Sequence, residues 1–258
     1  MIRAGSEALF AELALPSKNW PLRLLWVEPG VFHMGSPVGE RSRQPDENQF
    51  QLHITRGYWL GETPVTQAQY AALCKAGVRW PSLFSGLPDS DDRPVEMVSW
   101  TDANMFCEEL SKLFAARLPR GYRFALPTEG EWEYACRAGT MSRYYSGEDD
   151  ADLDRVAWHS GNSGGTTHPV GQLKPNPWGF FDILGNVSEW CQDWYEDYPK
   201  GTYSNWTGPA YGRTRSVRGR AWGANIKYGE FRCGSRLDIE PRAKFPWLGF
   251  RLSIRWVL

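Results

Sequence analysis

The sequence predicts an α+β chain in which short helices and strands are joined by much irregular structure and held by aromatic packing. Three observations carry this. Trp 14, Gly 26 and Pro 18 among 258 residues supply many large rings and many turn positions. Helical periodicity is clear in pieces before Thr140 and disappears after it. Short apolar stretches bounded by glycine and proline read as strands.

The bulk numbers narrow the partners. Lys+Arg 29 against Asp+Glu 30 gives a net charge of −1, so no field draws the chain to nucleic acid. A hydrophobic fraction of 41% supports a core, yet no run approaches the ~18 apolar residues of a membrane span. Met1–Trp20 is interrupted by Glu7 and Glu12 and has one early cation, Arg3, unlike a signal peptide; a cytoplasmic location is expected. The cysteines (Cys74, Cys107, Cys136, Cys191, Cys233) are odd in number, spread out and without a CxxC, which argues against a disulfide framework and zinc.

Residues 1–21 read as an N-terminal extension and 22–258 as one domain, with no linker or repeat. Glu7–Leu15 has the pattern of a short amphipathic helix. Leu22–Phe32 and Phe50–Gly61 read as strands, the second by the alternation of Leu52, Ile54, Tyr58 and Leu60. Thr63-Pro64-Val65-Thr66 opens a helix that runs to about Ala76 and stops at Gly77. A second helix over Asp102–Ala116, with Thr101 as N-cap, places Ala103, Phe106, Cys107, Leu110, Leu113 and Phe114 on one face. A third begins at Thr128, whose side chain forms a capping box with Glu131, and ends at Gly139. Its acids Glu129, Glu131 and Glu133 read as first-turn complements to the helix dipole. Further strands are expected at Arg215–Arg218 and Leu248–Ile254.

The densest chemistry lies in Asp182-Ile183-Leu184-Gly185-Asn186-Val187-Ser188-Glu189-Trp190, followed by Cys191-Gln192-Asp193-Trp194. Gly185 marks a tight backbone bend, flanked by the carboxylates of Asp182 and Glu189. Such a pair either wraps a hard cation or caps local backbone N–H groups.

These pieces together resemble the formylglycine-generating enzyme family, also called the sulfatase-modifying-factor domain. The resemblance is carried by Phe32-His33-Met34-Gly35-Ser36, Glu62-Thr63-Pro64-Val65-Thr66, Pro94-Val95-Glu96-Met97-Val98-Ser99-Trp100, Leu126-Pro127-Thr128-Glu129-Gly130-Glu131-Trp132, His168-Pro169-Val170-Gly171, Asn176-Pro177-Trp178-Gly179, Gly185–Trp190 and Gly249-Phe250-Arg251-Leu252. It implies a variant of the C-type lectin fold, with a small twisted antiparallel sheet and a few helices. It also implies a structural Ca²⁺ held by the side chains of Asp182 and Glu189 and the carbonyls of Gly185 and Val187.

The family's sulfatase-activating enzymes place two cysteines, which bind copper and engage substrate, after a Gly-Gly-Ser-Trp motif. Here Ala224 and Gly229 stand at those places and Cys233 remains without a second cysteine in the segment, so no copper and no formylglycine formation are expected. The four histidines show no metal-ligand spacing; His159 is expected on the surface and His168 in the scaffold. No catalytic residue is assigned. The alternative is a cysteine-less oxidoreductase of the family, with Tyr228, Glu230 and Cys233 as candidates.

Arg232 and Arg236 read as framework, bridging carbonyls and acids. Between such framework positions, Trp222, Ala224, Asn225, Ile226, Tyr228, Glu230, Phe231, Leu237, Asp238, Ile239, Lys244, Phe245 and Trp247 are expected to form a surface that binds an unknown protein or small molecule. Phe245, Pro246 and Trp247 either form an exposed contact cluster or pack in the core. This layout resembles the variable proteins of diversity-generating retroelements, which vary a C-terminal surface. Lys227, Glu230, Glu240, Lys244 and Trp247 are outside the products of adenine-directed mutagenesis of Asn codons: either they break the rule or they are unvaried positions.

Overall fold

A computed structural model describes residues 10–15, 21–73 and 82–257. In chain order the elements are β1 (Phe10–Leu13), β2 (Leu22–Val27), β3 (Gly30–Met34), β4 (Phe50–Ile54), β5 (Tyr58–Gly61), α1 (Gln67–Ala71), α2 (Trp100–Leu113), β6 (Tyr122–Ala125) and α3 (Glu129–Arg137). They continue with β7 (Ser188–Trp194), β8 (Thr202–Ser204), β9 (Arg215–Arg218), β10 (Arg236–Ile239), β11 (Leu248–Gly249) and β12 (Ser253–Trp256). Among the described residues these strands form a sheet β1-β2-β5-β12-β6, a sheet β10-β9-β7-β11 and a sheet β3-β4-β8. The few helices and abundant irregular structure expected are present, and the sheets are mixed, since β11 pairs parallel with β7 and β8 parallel with β4. No helix among the described residues is long and apolar enough to cross a membrane.

Several local expectations change. The segment expected as a helix contains β1, which pairs antiparallel with β2. Leu13 and Leu15 enter the core, so tertiary pairing overrides the local helical pattern here. The rest of Glu7–Leu15 lies partly outside the described residues. The helix expected from Thr66 is short: Thr66 caps α1 through a box with Gln69, and the expected stop near Gly77 lies outside the described residues. α2 is capped by Ser99, not Thr101, because Ser99 and Asp102 satisfy each other's backbone N–H groups. The Thr128–Glu131 capping box is present at α3, which ends in left-handed Ala138.

Aromatic packing holds two adjoining cores. One lies between the β1-β2-β5-β12-β6 sheet and α2, where Tyr70 stacks on Phe106 at 4.8 Å and Phe250 meets both rings edge-on. The other encloses Met34, Leu52, Trp132, Ile183, Tyr198 and Phe231. Trp59, Trp132 and Trp190 are fully buried, each contributing on the order of 2–3 kcal/mol from apolar burial.

Candidate functional site

The C-terminal half is held by buried arginines paired to buried glutamates. Arg236 grips Glu129 in a two-pronged pair, with Nε and Nη2 each 2.8 Å from an oxygen. Arg218 donates to the same Glu129 at 3.0 Å, to Glu133 at 2.7 Å and to the Cys233 carbonyl. Arg137 donates to Glu133 at 2.8 Å. Arg232 clamps Glu47 with bonds of 2.6 and 2.7 Å and reaches Glu40 at 2.8 Å. The expected framework roles of Arg232 and Arg236 therefore hold.

The first-turn acids of α3 need correction. Glu129 and Glu133 are fully buried anchors of this network and not solvated dipole complements. Burial alone would push the Glu129 carboxyl up; Arg236 and Arg218 override that and hold it at about 2. Glu131 does serve locally, in the capping box with Thr128.

The Asp182–Trp190 segment is the hub beside the network. Gly185 has φ +87°, and a Cβ there would lie 2.6 Å from the backbone N and O of Trp158. Asn186, at φ +60°, accepts from the His168 N–H and donates to the His168 carbonyl at 3.0 Å. Its own carbonyl accepts from Trp222 N–H at 3.0 Å, which ties the bend to the later segment. Trp190 donates to the Val98 carbonyl at 2.9 Å.

These contacts do not fit the calcium expected here. Both Glu189 oxygens accept from Arg251 at 2.7 Å, and one also accepts from Trp132 Nε1 at 2.7 Å. One Asp182 oxygen accepts from Gly171 N–H at 2.7 Å and the other meets Asn186 Nδ2 at 3.4 Å. A cation shared by Asp182, Glu189 and the Gly185 and Val187 carbonyls would compete with the Arg251 guanidinium and Trp132 for the Glu189 carboxylate. Among the described residues no cluster of three or more His, Cys, Asp or Glu is placed to hold a metal. Burial leaves the Asp182 carboxyl raised to about 6.

The expected contact surface divides into three pieces. Trp222, Ala224, Asn225, Ile226, Tyr228 and Glu230 lie on a loop with one short helical turn at Ile226–Tyr228. The loop is braced from within: Asn225 Oδ1 accepts from Lys227 N–H, Glu230 accepts from Asn225 N–H, and Arg220 donates to the Glu230 carbonyl. Tyr228 is 73% exposed, whereas Ala224 and Ile226 half-cover the second core. Leu237, Asp238 and Ile239 lie on β10, whose outer edge pairs with no other strand among the described residues. Asp238 is exposed, while Leu237 and Ile239 lean on the first core.

Lys244, Phe245 and Trp247 form the third piece. Phe245 and Trp247 stack at 4.8 Å and are half-buried against the first core, so that cluster is part support and part surface. Lys244 Nζ lies 2.7 Å from Asp102 at the start of α2. Trp222 Nε1 donates to the Pro246 carbonyl at 3.1 Å and links the first and third pieces. Phe231 does not belong to the surface: it is fully buried, a core ring beside His159. His159 is likewise buried, with Nε2 2.8 Å from Asp154, and not on the surface as expected. His168 is scaffold as expected, stacked 3.7 Å from Trp158.

The Sulfatase-modifying factor enzyme 1-like domain family matches residues 13–256. The chain belongs to that family. Within it, the chain is similar to the formylglycine-generating enzyme of Streptomyces coelicolor, 27% identical over 87% of this chain and 86% of that protein. It is also similar to the serine/threonine-protein kinase pkn1 of Chlamydia caviae, 30% identical over 89% of this chain. The chain spans 37% of that kinase's length. Among solved structures, Treponema denticola variable protein 1 superposes with a TM-score of 0.84 at 29% identity, covering 96% of this chain and 99% of that one.

For a sulfatase-modifying-factor-like domain, the sulfur atoms are of special interest. Cys233 has a neighbour that its sequence context did not show: its Sγ lies 3.7 Å from Cys136 Sγ. Both thiols are fully buried in the second core. A hydrogen bond from Cys136 lowers the Cys233 thiol pKa, while burial pushes that of Cys136 well up. Tyr228 stands out in solvent and Cys233 is sealed inside, so the three oxidoreductase candidates do not meet in one accessible cleft.

Proposed function

We propose that this domain is a non-catalytic binding scaffold, with the Trp222–Trp247 pieces as its contact surface for a protein or small-molecule ligand. The observation that carries this is the separation of roles along one segment. Arg218, Arg232, Arg236 and Arg251 are buried in ion pairs, while Tyr228, Asp238 and Lys244 project between them. Backbone hydrogen bonds and guanidinium clamps hold the segment, so its outward side chains are free to specialise. The likeness to Treponema denticola variable protein 1 supports the same reading and its sharper form, a surface diversified by a retroelement.

The test is simultaneous randomisation of the exposed positions Tyr228, Asp238 and Lys244. Most clones should keep a cooperative thermal transition within roughly 5 °C of the parent, as surface substitutions do; a library in which most clones unfold would sink the reading. Oxygen consumption abolished by Cys136→Ala or Cys233→Ala, with stoichiometric copper in the parent, would favour an oxidoreductase instead. In the DNA beside the gene, a reverse transcriptase and an imperfect repeat of the Trp222–Arg251 codons would establish the sharper form.

A further inference from the structure

A cavity of about 740 Å³ opens where the β4–β5 turn, the end of β7, the start of β9 and the end of β12 converge. None of the residues of the proposed contact surface lines it. Its walls include Arg56, Asp193, Trp194, Arg215, Arg255 and Trp256. Arg215 is sandwiched between two indoles, its guanidinium carbon 3.9 Å from the Trp100 ring centre and 3.4 Å from that of Trp194. Its Nη1 donates to the Gln192 carbonyl at 2.6 Å, but among the described residues its buried Nε has no acceptor. Arg56 lies over Trp256 at 3.9 Å. Among the described residues neither Arg56 nor Arg215 has a carboxylate within ion-pair distance. The buried Nε1 of Trp256 also has no acceptor among the described residues.

The nearby acids do not supply the missing charge. Glu131 lies 3.8 Å from Arg255 and is engaged there and in the α3 cap. Asp193 is buried; its Oδ2 accepts from Glu129 N–H at 2.8 Å, and its Oδ1 has no donor among the described residues. Burial, followed by the Glu129 charge, pushes the Asp193 carboxyl up to about 7, so it is only partly ionised at neutral pH. Burial also lowers the Arg215 pKa to about 10, and the Asp193 charge offsets only part of that loss of water. The cavity is therefore a cationic recess with aromatic walls and unfilled donors. Its volume suits an organic molecule better than a bare ion.

We propose that this cavity binds the oxyanion group, carboxylate or phosphate, of a small polar ligand, held by the Arg215 and Arg56 guanidinium groups. The fixed fork of arginine matches a planar or tetrahedral oxyanion, and the flanking indoles restrict Arg215 to one orientation. Stacking on Trp194 and Trp100 pre-orders the side chain, so little rotamer freedom remains to be lost on binding.

Isothermal titration calorimetry of the whole chain with citrate, inorganic phosphate and uncharged glycerol tests this. Citrate or phosphate should bind with a dissociation constant of about 1 mM or tighter, and glycerol should give no saturable heat. Arg215→Gln and Arg56→Gln should each weaken binding roughly tenfold, the loss of one charge-assisted contact. Arg215→Lys, which keeps the charge and loses the fork, should fall between the parent and Arg215→Gln. Arg120→Gln, an exposed charge away from the cavity, should change nothing. Should Arg215→Gln fail to fold, exposed Arg56 still carries the test. Preference for citrate identifies a carboxylate ligand and preference for phosphate a phosphorylated one. No saturable heat from either anion, or equal weakening by Arg120→Gln, overturns the proposal.

Discussion

Replacing Glu129 by Gln tests whether the buried ion pairs hold this half of the chain. Glu129 receives two bonds from Arg236, one from Arg218, one from Tyr198 and one from Ser216, all between 2.8 and 3.0 Å. Its carboxyl falls from an ordinary 4.5 to about 2 on folding, a gap that corresponds to about 3 kcal/mol. Removing one member of a buried pair generally costs about 3–5 kcal/mol, because the remaining charge is stranded. Glu129→Gln should therefore lower stability by that amount at pH 7, or Tm by roughly 6–20 °C for a chain of this size. Because the folded pKa is depressed, the carboxylate's contribution is complete above about 4.5 and is lost as pH falls through about 2. Gln does not titrate, so the gap between parent and variant should shrink by about 3 kcal/mol between pH 5 and pH 2. Urea denaturation of both proteins across that range reads the gap directly. A loss below about 1 kcal/mol at pH 7, or a gap that stays constant down to pH 2, would refute the reasoning.

Four further outcomes are expected. Gly185→Ala should destabilise by about 2–4 kcal/mol or prevent folding, since its Cβ would lie 2.6 Å from the Trp158 backbone at φ +87°; circular dichroism melting checks it. Excess EDTA should leave Tm within about 1 °C of the untreated protein, because Arg251 occupies Glu189; a drop of several degrees would show that a cation is held after all. Asp193 binds its proton more tightly when folded, so its contribution is complete below about 3.8 and is lost as pH rises through about 7. Asp193→Asn should therefore flatten the decline of stability between pH 4 and 8, measured by urea titration at each pH. Tyr228→Ala, at a ring 73% exposed, should alter stability by no more than about 0.5 kcal/mol; a larger loss in a thermal melt would assign Tyr228 to the core.

What the sequence revealed, and what it hid, follows the distance between partners. The Thr128–Glu131 box was legible because its two side chains lie three residues apart. The roles of Arg232 and Arg236 were legible as a type, since arginine in a glycine-rich segment has carbonyls and acids to bridge. Their partners were not: Glu47 and Glu129 lie 185 and 107 residues earlier. The same distance hid the burial of Glu129 and Glu133, which look like any first-turn acids of a helix. Cys136 and Cys233 meet across 97 residues, so neither position announces the pair. β1 was misread because an edge strand with one buried face can carry a locally helical pattern, and only β2 decides it. In the contact surface, apolar type did not separate Phe231, which is core, from exposed Tyr228; burial did.

The long reach of the ion pairs also constrains the order in which this protein can be made. Glu47 leaves the ribosome 185 residues ahead of Arg232, and the Gly61 carbonyl waits 190 residues for Arg251. Until those arginines arrive, the acids of the early segments cannot be dried without stranding a charge. The first half of the chain is thus kept hydrated and unfinished during synthesis, and closure is concentrated in a late step with high loop-closure entropy. Slow refolding, and a need for protection while the nascent chain lengthens, are the expected signatures of such a molecule.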